Sequence, residues 1–229
     1  MPSLFHHFPE QPNSSECQSG YIILSNAHDA ASSFLEAFTS VRASRHARGM
    51  PTDEEQDLLR AMLLFASAGL DSLVKQLVRD ALPTILESNE QAADMFKIFV
   101  ERRLRSGDDV NHKLLADVIG DREPRARLVS LQVSELTSSS LQSTDELLKA
   151  GAAFDIRSQE ITNDPRRLTE IFRVRNQIVH EMDVDFTQPN RSRRPRPRGL
   201  MEGYTNGVFR VANNFLVGVN AKIPVQTPT

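Results

Sequence analysis

Apolar residues recur at helical spacing along most of this 229-residue chain, and that spacing is the strongest constraint on its fold. From about Ser25 to His46 the apolar positions are Ala27, Ala31, Phe34, Leu35 and Phe38. A longer helix is predicted from "MPTDEEQ" to about Leu82, because Thr52 can cap it and three acidic residues suit its positive start. Strand-like alternation is scarce. The pattern predicts an all-α fold.

The remaining helices are bounded by clusters of Pro, Gly, Ser or Asp. They are predicted at about 90–105, 111–119, 124–138 and 142–151. Another helix is predicted from Pro165 to about Met182, with Asp164 as its cap. The last, at about 200–220, places on one face Met201, Tyr204, Val208, Val211, Phe215 and Val219. The long second helix and the last two are predicted to form the centre of the bundle.

The length suits a single domain that buries a real core. Residues 1–20 mix Pro, Ser, Gly and Asn without a period and predict a flexible tail, residues 21–222 the domain, and residues 223–229 a C-terminal tail. Within the domain, "NRSRRPRPRG" carries five arginines and two prolines, which cannot be helical. A basic loop is therefore predicted over 187–199.

Composition bears on the compartment and on general binding. The net charge of -3 gives no global attraction to nucleic acid or to acidic membranes, so any such binding is local. The single cysteine, Cys17, excludes an intramolecular disulfide and favours a reducing compartment. Because no apolar run is long enough to span a bilayer and no leader pattern is present, we expect a soluble, cytoplasmic protein without a membrane partner.

One arginine stands out in the stretch "RVRNQIVHEM". At about 100° per residue, Arg175 falls in the middle of an apolar stripe. The stripe consists of Leu168, Ile171, Phe172, Ile178, Val179 and Met182, while Arg173, Gln177 and Glu181 point to solvent. Asn176 and His180, four residues apart, lie on one edge of the stripe and can approach the same point as the guanidinium.

A guanidinium is costly to bury without a partner. Three solutions are open for Arg175: a buried carboxylate, a wet cleft or a phosphate. The candidate carboxylate is Asp71, inside "AGLDSLVKQL", and pairing with it is an ordinary way to satisfy such a charge. Arg175 can have a structural role and a functional role at the same time.

The segment "IFRVRNQIVHEM" resembles the R-x4-6-H motif of the HEPN superfamily, with Arg175, Asn176 and His180 at the motif positions. The resemblance implies a HEPN-like helical bundle, here with additional helices between the first pair and the motif helix. It also implies a metal-independent endoribonuclease, a homodimer whose two motifs share one cleft. Attack of the ribose 2′-hydroxyl would leave 2′,3′-cyclic phosphate ends. In this scheme Arg175 holds the phosphate, His180 moves the proton, and Asn176 orients the imidazole or the phosphate.

Family members of this kind include toxins and phage-defence effectors, and some are restrained by an antitoxin or another defence-system protein. Others have kept the bundle only to bind protein or nucleotide, and a non-catalytic module is therefore the alternative. RNA is the expected partner in the first case. The residues that could attract its backbone are Arg173 on the motif helix and Arg191, Arg193, Arg194, Arg196 and Arg198 in the basic loop. The loop could equally be simply solvated.

Other chemistry finds little support in the sequence. His6 and His7 lie in the predicted tail without further ligands at metal spacing, so no metal is expected. No Gly-rich phosphate loop is present, so no nucleotide cofactor is expected. Aromatic residues for base stacking are missing from the basic loop, the nearest being Phe186 and Tyr204. Sequence-specific readout of RNA is therefore not predicted.

Overall fold

The computed structural model of this chain describes residue 4 and residues 8–106, 109–141 and 143–224. Outside this range lie His6 and His7, the first residue of the helix predicted at 142–151, and residues 225–229 of the predicted C-terminal tail. The helices are α1 (Ser15–Ser44), α2 (Asp53–Asp80), α3 (Leu82–Ser88), α4 (Glu90–Leu104), α5 (His112–Ile119), α6 (Pro124–Ser138), α7 (Thr144–Ala153), α8 (Ser158–Ile161), α9 (Pro165–Glu181) and α10 (Arg198–Lys222). Two antiparallel strands of two residues each, β1 (Arg105–Ser106) and β2 (Asp109–Val110), separate α4 from α5. About three quarters of the described residues are helical, which confirms the all-α prediction.

The centre of the fold is α2, which packs against α1 on one side and α10 on another. Its start follows the predicted capping pattern: the Thr52 hydroxyl accepts from the amide of Glu55, and the Glu55 carboxylate accepts from the amide of Thr52. Gly69 lets α1 approach closely, because a Cβ added there would stand 2.2 Å from the Cβ of Ala27. The central position predicted for this helix is confirmed.

The predicted tail at residues 1–20 is wrong for its last six residues, because α1 begins at Ser15. Cys17 is fully buried in the core, and burial raises the pKa of its thiol. Gly20 is also buried and faces Leu73 and Leu77 of α2. The local mixture of Ser, Gly and Glu concealed the fact that Cys17, Gly20 and Leu24 continue the apolar stripe of α1 at helical spacing.

Two short helices were not predicted. The segment expected to run to about Leu82 ends at Asp80, and α3 follows with Pro83 in its first turn. The second, α8, is only four residues long. The buried residues Leu82, Ile85 and Leu86 of α3 do lie at helical spacing, but a segment this short gives only a brief pattern, and tertiary packing decides its conformation. The helices at 90–104, 112–119 and 124–138 agree with their predicted bounds within a residue.

By length and composition α2 could cross a membrane, so the expectation that no segment is long enough is wrong on that measure. However, 56% of its most apolar window is buried inside the protein, between helices of the same chain. Burial of this kind is consistent with the core helix of a soluble protein.

Candidate functional site

The motif helix α9 begins as predicted. The side chain of Asp164 accepts a hydrogen bond of 2.9 Å from the amide of Arg167, and Pro165 occupies the first turn. Its buried residues are Leu168, Ile171, Phe172, Val174 and Ile178. The predicted stripe is wrong at its end, because Val179 is 39% exposed and Met182 is 68% exposed. The core therefore covers α9 up to Ile178, and its last turn stands at the surface.

Arg175 is half-buried, and its closest polar partner is its neighbour in sequence. Its Nη1 donates to Oδ1 of Asn176 at 3.1 Å. Burial lowers the pKa of Arg175, and the negative charge of Asp71 partly offsets that shift. Among the described residues, no carboxylate oxygen lies within 4 Å of this guanidinium. The arginine has thus lost part of its hydration and gained only a neutral amide.

The predicted partner Asp71 is committed elsewhere. Its carboxylate binds Nζ of Lys75 at 3.0 Å and accepts from the amide of Leu141 at 2.7 Å. Asp71 therefore acts on Arg175 only through the field of its charge, and the direct ion pair considered from the sequence is absent between these two residues. The buried-carboxylate solution for Arg175 was wrong in this form.

His180 lies exposed in the last turn of α9, one turn beyond Asn176. Large apolar side chains flank it along the chain: Val179, Met182 and Phe186, of which Phe186 is 62% exposed. We call His180 and these three residues the motif-end surface. Large exposed apolar side chains this close along the chain are candidates for a surface that another molecule covers.

Asn176 also borders a groove between the start of α7 and the side of α9. The groove has a volume of about 540 Å³ and is lined mainly by polar residues: Ser143, Thr144, Asp145, Thr169, Phe172, Arg173, Asn176, Gln177 and Glu181. The exposed Arg173 contributes a cation, and the hydroxyls of Thr144 and Thr169 lie 2.9 Å apart. No sequence pattern indicated this groove, since its two walls come from segments that are distant along the chain.

The basic loop does not stand free of the protein. Asp183 is completely buried, and it accepts from Nε of Arg60 at 2.7 Å and from Nε of Arg196 at 2.9 Å. Arg196 also donates to Oε1 of Gln177 on α9 at 3.0 Å, and Arg60 donates to the carbonyl of Arg194 at 3.0 Å. We call Arg60, Asp183 and Arg196 the buried triad. It ties the loop to α2 and to the end of the motif helix.

Consequently, the placement predicted for Arg196 at the mouth of a cleft is wrong: its side chain is in the core, and Gln177 does not point freely to solvent. The other loop arginines stay nearer the surface. Arg193 pairs with Asp57, Arg194 with Glu181 at 2.9 Å, and Arg198 with Glu202. Arg191 is exposed, without a carboxylate within 4 Å among the described side chains. Most of the loop's charge is thus locally balanced.

The buried triad was missed, although one signal existed for it. Arg60 sits among Leu59, Met62 and Leu63 on α2, so it is a second arginine on an apolar helix face, the same feature that singled out Arg175. Its partner Asp183 carried no signal, because it follows the helix in a turn with positive φ of 60°. Over the described part of the chain, no group of three His, Cys, Asp or Glu residues could hold a metal ion.

Together these features define an all-α protein whose motif helix carries a half-buried arginine hydrogen-bonded to the neighbouring asparagine and an exposed histidine one turn beyond that asparagine, with the end of the helix fixed by a buried ion cluster. No family model, curated protein or solved structure matches this chain.

Proposed function

We propose that this chain is a metal-independent endoribonuclease of HEPN type, with Arg175, Asn176 and His180 as its catalytic residues. The observation that carries the proposal is the environment of Arg175, a half-buried guanidinium held by a neutral amide rather than by a carboxylate. Such a group retains donors and charge for an anion, and a phosphate suits its planar fork. The resemblance of the motif to that of the superfamily points in the same direction.

The chemistry requires an anion holder and a proton carrier. The ribose 2′-oxygen forms a bond to phosphorus while the bond from phosphorus to the 5′-oxygen breaks, which leaves a 2′,3′-cyclic phosphate and a 5′-hydroxyl. Arg175 stabilises the charge that grows on the phosphate oxygens. His180 takes the proton from the 2′-hydroxyl or gives one to the leaving 5′-oxygen, and two copies of His180 in a homodimer supply both steps.

The motif-end surface supports the dimer. Val179, Met182 and Phe186, which follow or precede His180 closely along the chain, are exposed and suit a second copy of the same surface, which would bring the two motifs together. The same surface is where an antitoxin or other defence-system protein would restrain a toxin or phage-defence effector.

We expect Met182→Glu with Phe186→Glu to give a monomer without nuclease activity, measured by light scattering and RNA cleavage. The matched control is Ile119→Glu, at a residue 69% exposed on α5, and loss of activity in a protein that stays dimeric would contradict the shared cleft.

Cleavage of total cellular RNA in excess EDTA tests the nuclease itself. We expect His180→Ala to lower the rate about 100-fold or more, because general acid-base catalysis contributes about that much. Arg175→Lys keeps the charge but loses the fork, and we expect a loss of about 100-fold. Matched controls are Arg166→Gln, exposed on the same helix, and His46→Asn, an exposed histidine in another turn. Products should carry cyclic phosphate ends, and circular dichroism should verify that every variant is folded.

A non-catalytic binding module is the second candidate, and one observation favours it. Among the described residues none forms a hydrogen bond that orients the imidazole of His180, as a general base within one chain would need. If the folded wild type cuts no RNA but retains it in a gel-shift experiment, and Arg175→Lys weakens that retention, the protein is a binding module. Absence of both cleavage and retention would refute both proposals.

A further inference from the structure

A second pocket lies away from the motif helix, between α4, α6 and α7. Its volume is about 150 Å³. The apolar lining comes from Met95, Ile98, Phe99 and Leu136, of which Met95 and Ile98 are 39% and 57% exposed. No residue of α9 borders this pocket, so it is separate from the proposed nuclease site.

The rim of the pocket carries excess positive charge. Glu135 on α6 is bound by Arg102 of α4 and, at 2.8 Å, by Nζ of Lys149 of α7, and Nη1 of Arg103 lies 4.0 Å away. Three cations thus surround one carboxylate. Arg102, Lys149 and Glu135 itself line the pocket, whereas Arg103 does not, so the lining carries two cations and one carboxylate. An anionic group at the rim would therefore meet a favourable field.

The pocket also contains a buried polar group without a partner. Gln132 lines it and is only 4% exposed, and its side-chain oxygen accepts no hydrogen bond from any described residue. A buried acceptor without a donor costs free energy, and most such groups in folded proteins are satisfied. A bound molecule with an N–H donor would satisfy it.

We propose that this pocket binds a small amphipathic carboxylate: a flat apolar body against Phe99 and Leu136, an N–H donor for Gln132, and the carboxylate at Arg102 and Lys149. Each part of that description answers one feature of the pocket. The site is independent of the nuclease chemistry. It gives a ligand-binding role to α4, α6 and α7, which lie between the first helix pair and the motif helix.

Indole-3-acetate is the probe, since it has the ring, the N–H and the carboxylate. The readout is the methionine methyl spectrum of the full chain labelled with ¹³C-methyl methionine. The chain has six methionines, and Met95→Leu assigns the one in the pocket. We expect the Met95 signal to titrate with a dissociation constant on the order of 1 mM or tighter for a ligand of this size. The signals of the exposed Met50 and Met182 should stay in place and act as internal controls.

Two modified probes and three variants test the polar contacts. Indole-3-acetamide lacks the negative charge and 1-methylindole-3-acetate lacks the donor, and each should bind about fivefold more weakly. Arg102→Gln should weaken the binding of indole-3-acetate by a similar factor. Arg103→Gln is the matched control from the same charge cluster and should have a smaller effect. In Gln132→Met, which keeps the volume, indole-3-acetate and its N-methyl derivative should bind equally.

Three results would overturn the proposal. The Met95 signal could fail to move at 10-fold the expected dissociation constant, all methionine signals could move together, or the acetamide could bind as tightly as the acetate. None of these outcomes depends on whether the chain cleaves RNA.

Discussion

Replacing Asp183 with Asn should be among the most destabilising single changes in this protein. Asp183 is completely buried, and its carboxylate binds both of the buried arginines Arg60 and Arg196. Asn is nearly the same size and tolerates the positive φ of 60° at this position, so the substitution removes the charge with little change in backbone or volume. The experiment therefore isolates the electrostatic role of the residue.

The magnitude follows from the burial. Removing one partner of a buried ion pair costs about 3 to 5 kcal/mol, because an uncompensated charge stays behind. Here Arg196 would keep only the neutral Gln177 as a side-chain partner among the described residues, whereas Arg60 would keep its ion pair with Asp57. A domain of this size has a free energy of unfolding of about 5 to 15 kcal/mol. We expect a loss of about 4 kcal/mol, which corresponds to a drop of about 1.5 M in the urea midpoint.

The assay is urea unfolding followed by circular dichroism, with Asp57→Asn as the matched control. Asp57 binds Arg60 and Arg193 in the same cluster, but its side chain is 50% exposed, so its loss should cost no more than about 1 kcal/mol. Equal effects of the two substitutions would contradict the argument from burial. A loss below about 1 kcal/mol in Asp183→Asn would refute the triad as the anchor of the loop.

Two further predictions concern helix packing and pH. Gly69→Ala should destabilise the fold by about 1 to 3 kcal/mol, because its methyl group would meet the Cβ of Ala27, whereas Gly199→Ala, with open space around it, should be neutral or stabilising in thermal unfolding. The hydroxyl of Tyr204 donates to Glu170 at 2.5 Å and holds the pKa of that carboxyl below its usual range, with further help from Arg167. This stability is fully present above the unfolded pKa of about 4.3 and is lost as the pH falls through the lower folded value. Urea midpoints of the wild type and Tyr204→Phe should therefore differ at pH 7 and converge towards pH 3, and a difference that does not depend on pH would contradict the coupling.

Much of the helical architecture was predictable from local pattern. The capped start of α2, the start of α9 at Asp164 and Pro165, and α6 with its exact bounds all follow from apolar spacing and cap residues, which act within a few residues of the chain. The start of α1 at Ser15 was missed because small and polar residues dominate the local pattern there. Only contact with Leu73 and Leu77 makes Gly20 a core residue.

In the candidate site, too, local spacing predicted some features and tertiary contacts decided the others. Helical spacing placed Arg175 in the middle of the apolar stripe of α9 and placed Asn176 and His180, which are four residues apart, on one edge of that stripe. The sequence could not tell that Asp71 is engaged by Lys75, that Val179 and Met182 are exposed, or that Arg196 is buried.

Local sequence therefore determined most of the helical segments and placed Asn176 and His180 on one edge of α9. Tertiary structure alone decided which charges are paired, because Arg60 and Asp183 are 123 positions apart in the sequence. It made most of the arginine-rich loop a structural element and left Arg175 without a carboxylate partner among the described residues. Charge pairing depends on distance in space and on exclusion of water, and the spacing of residues along one helix determines neither quantity.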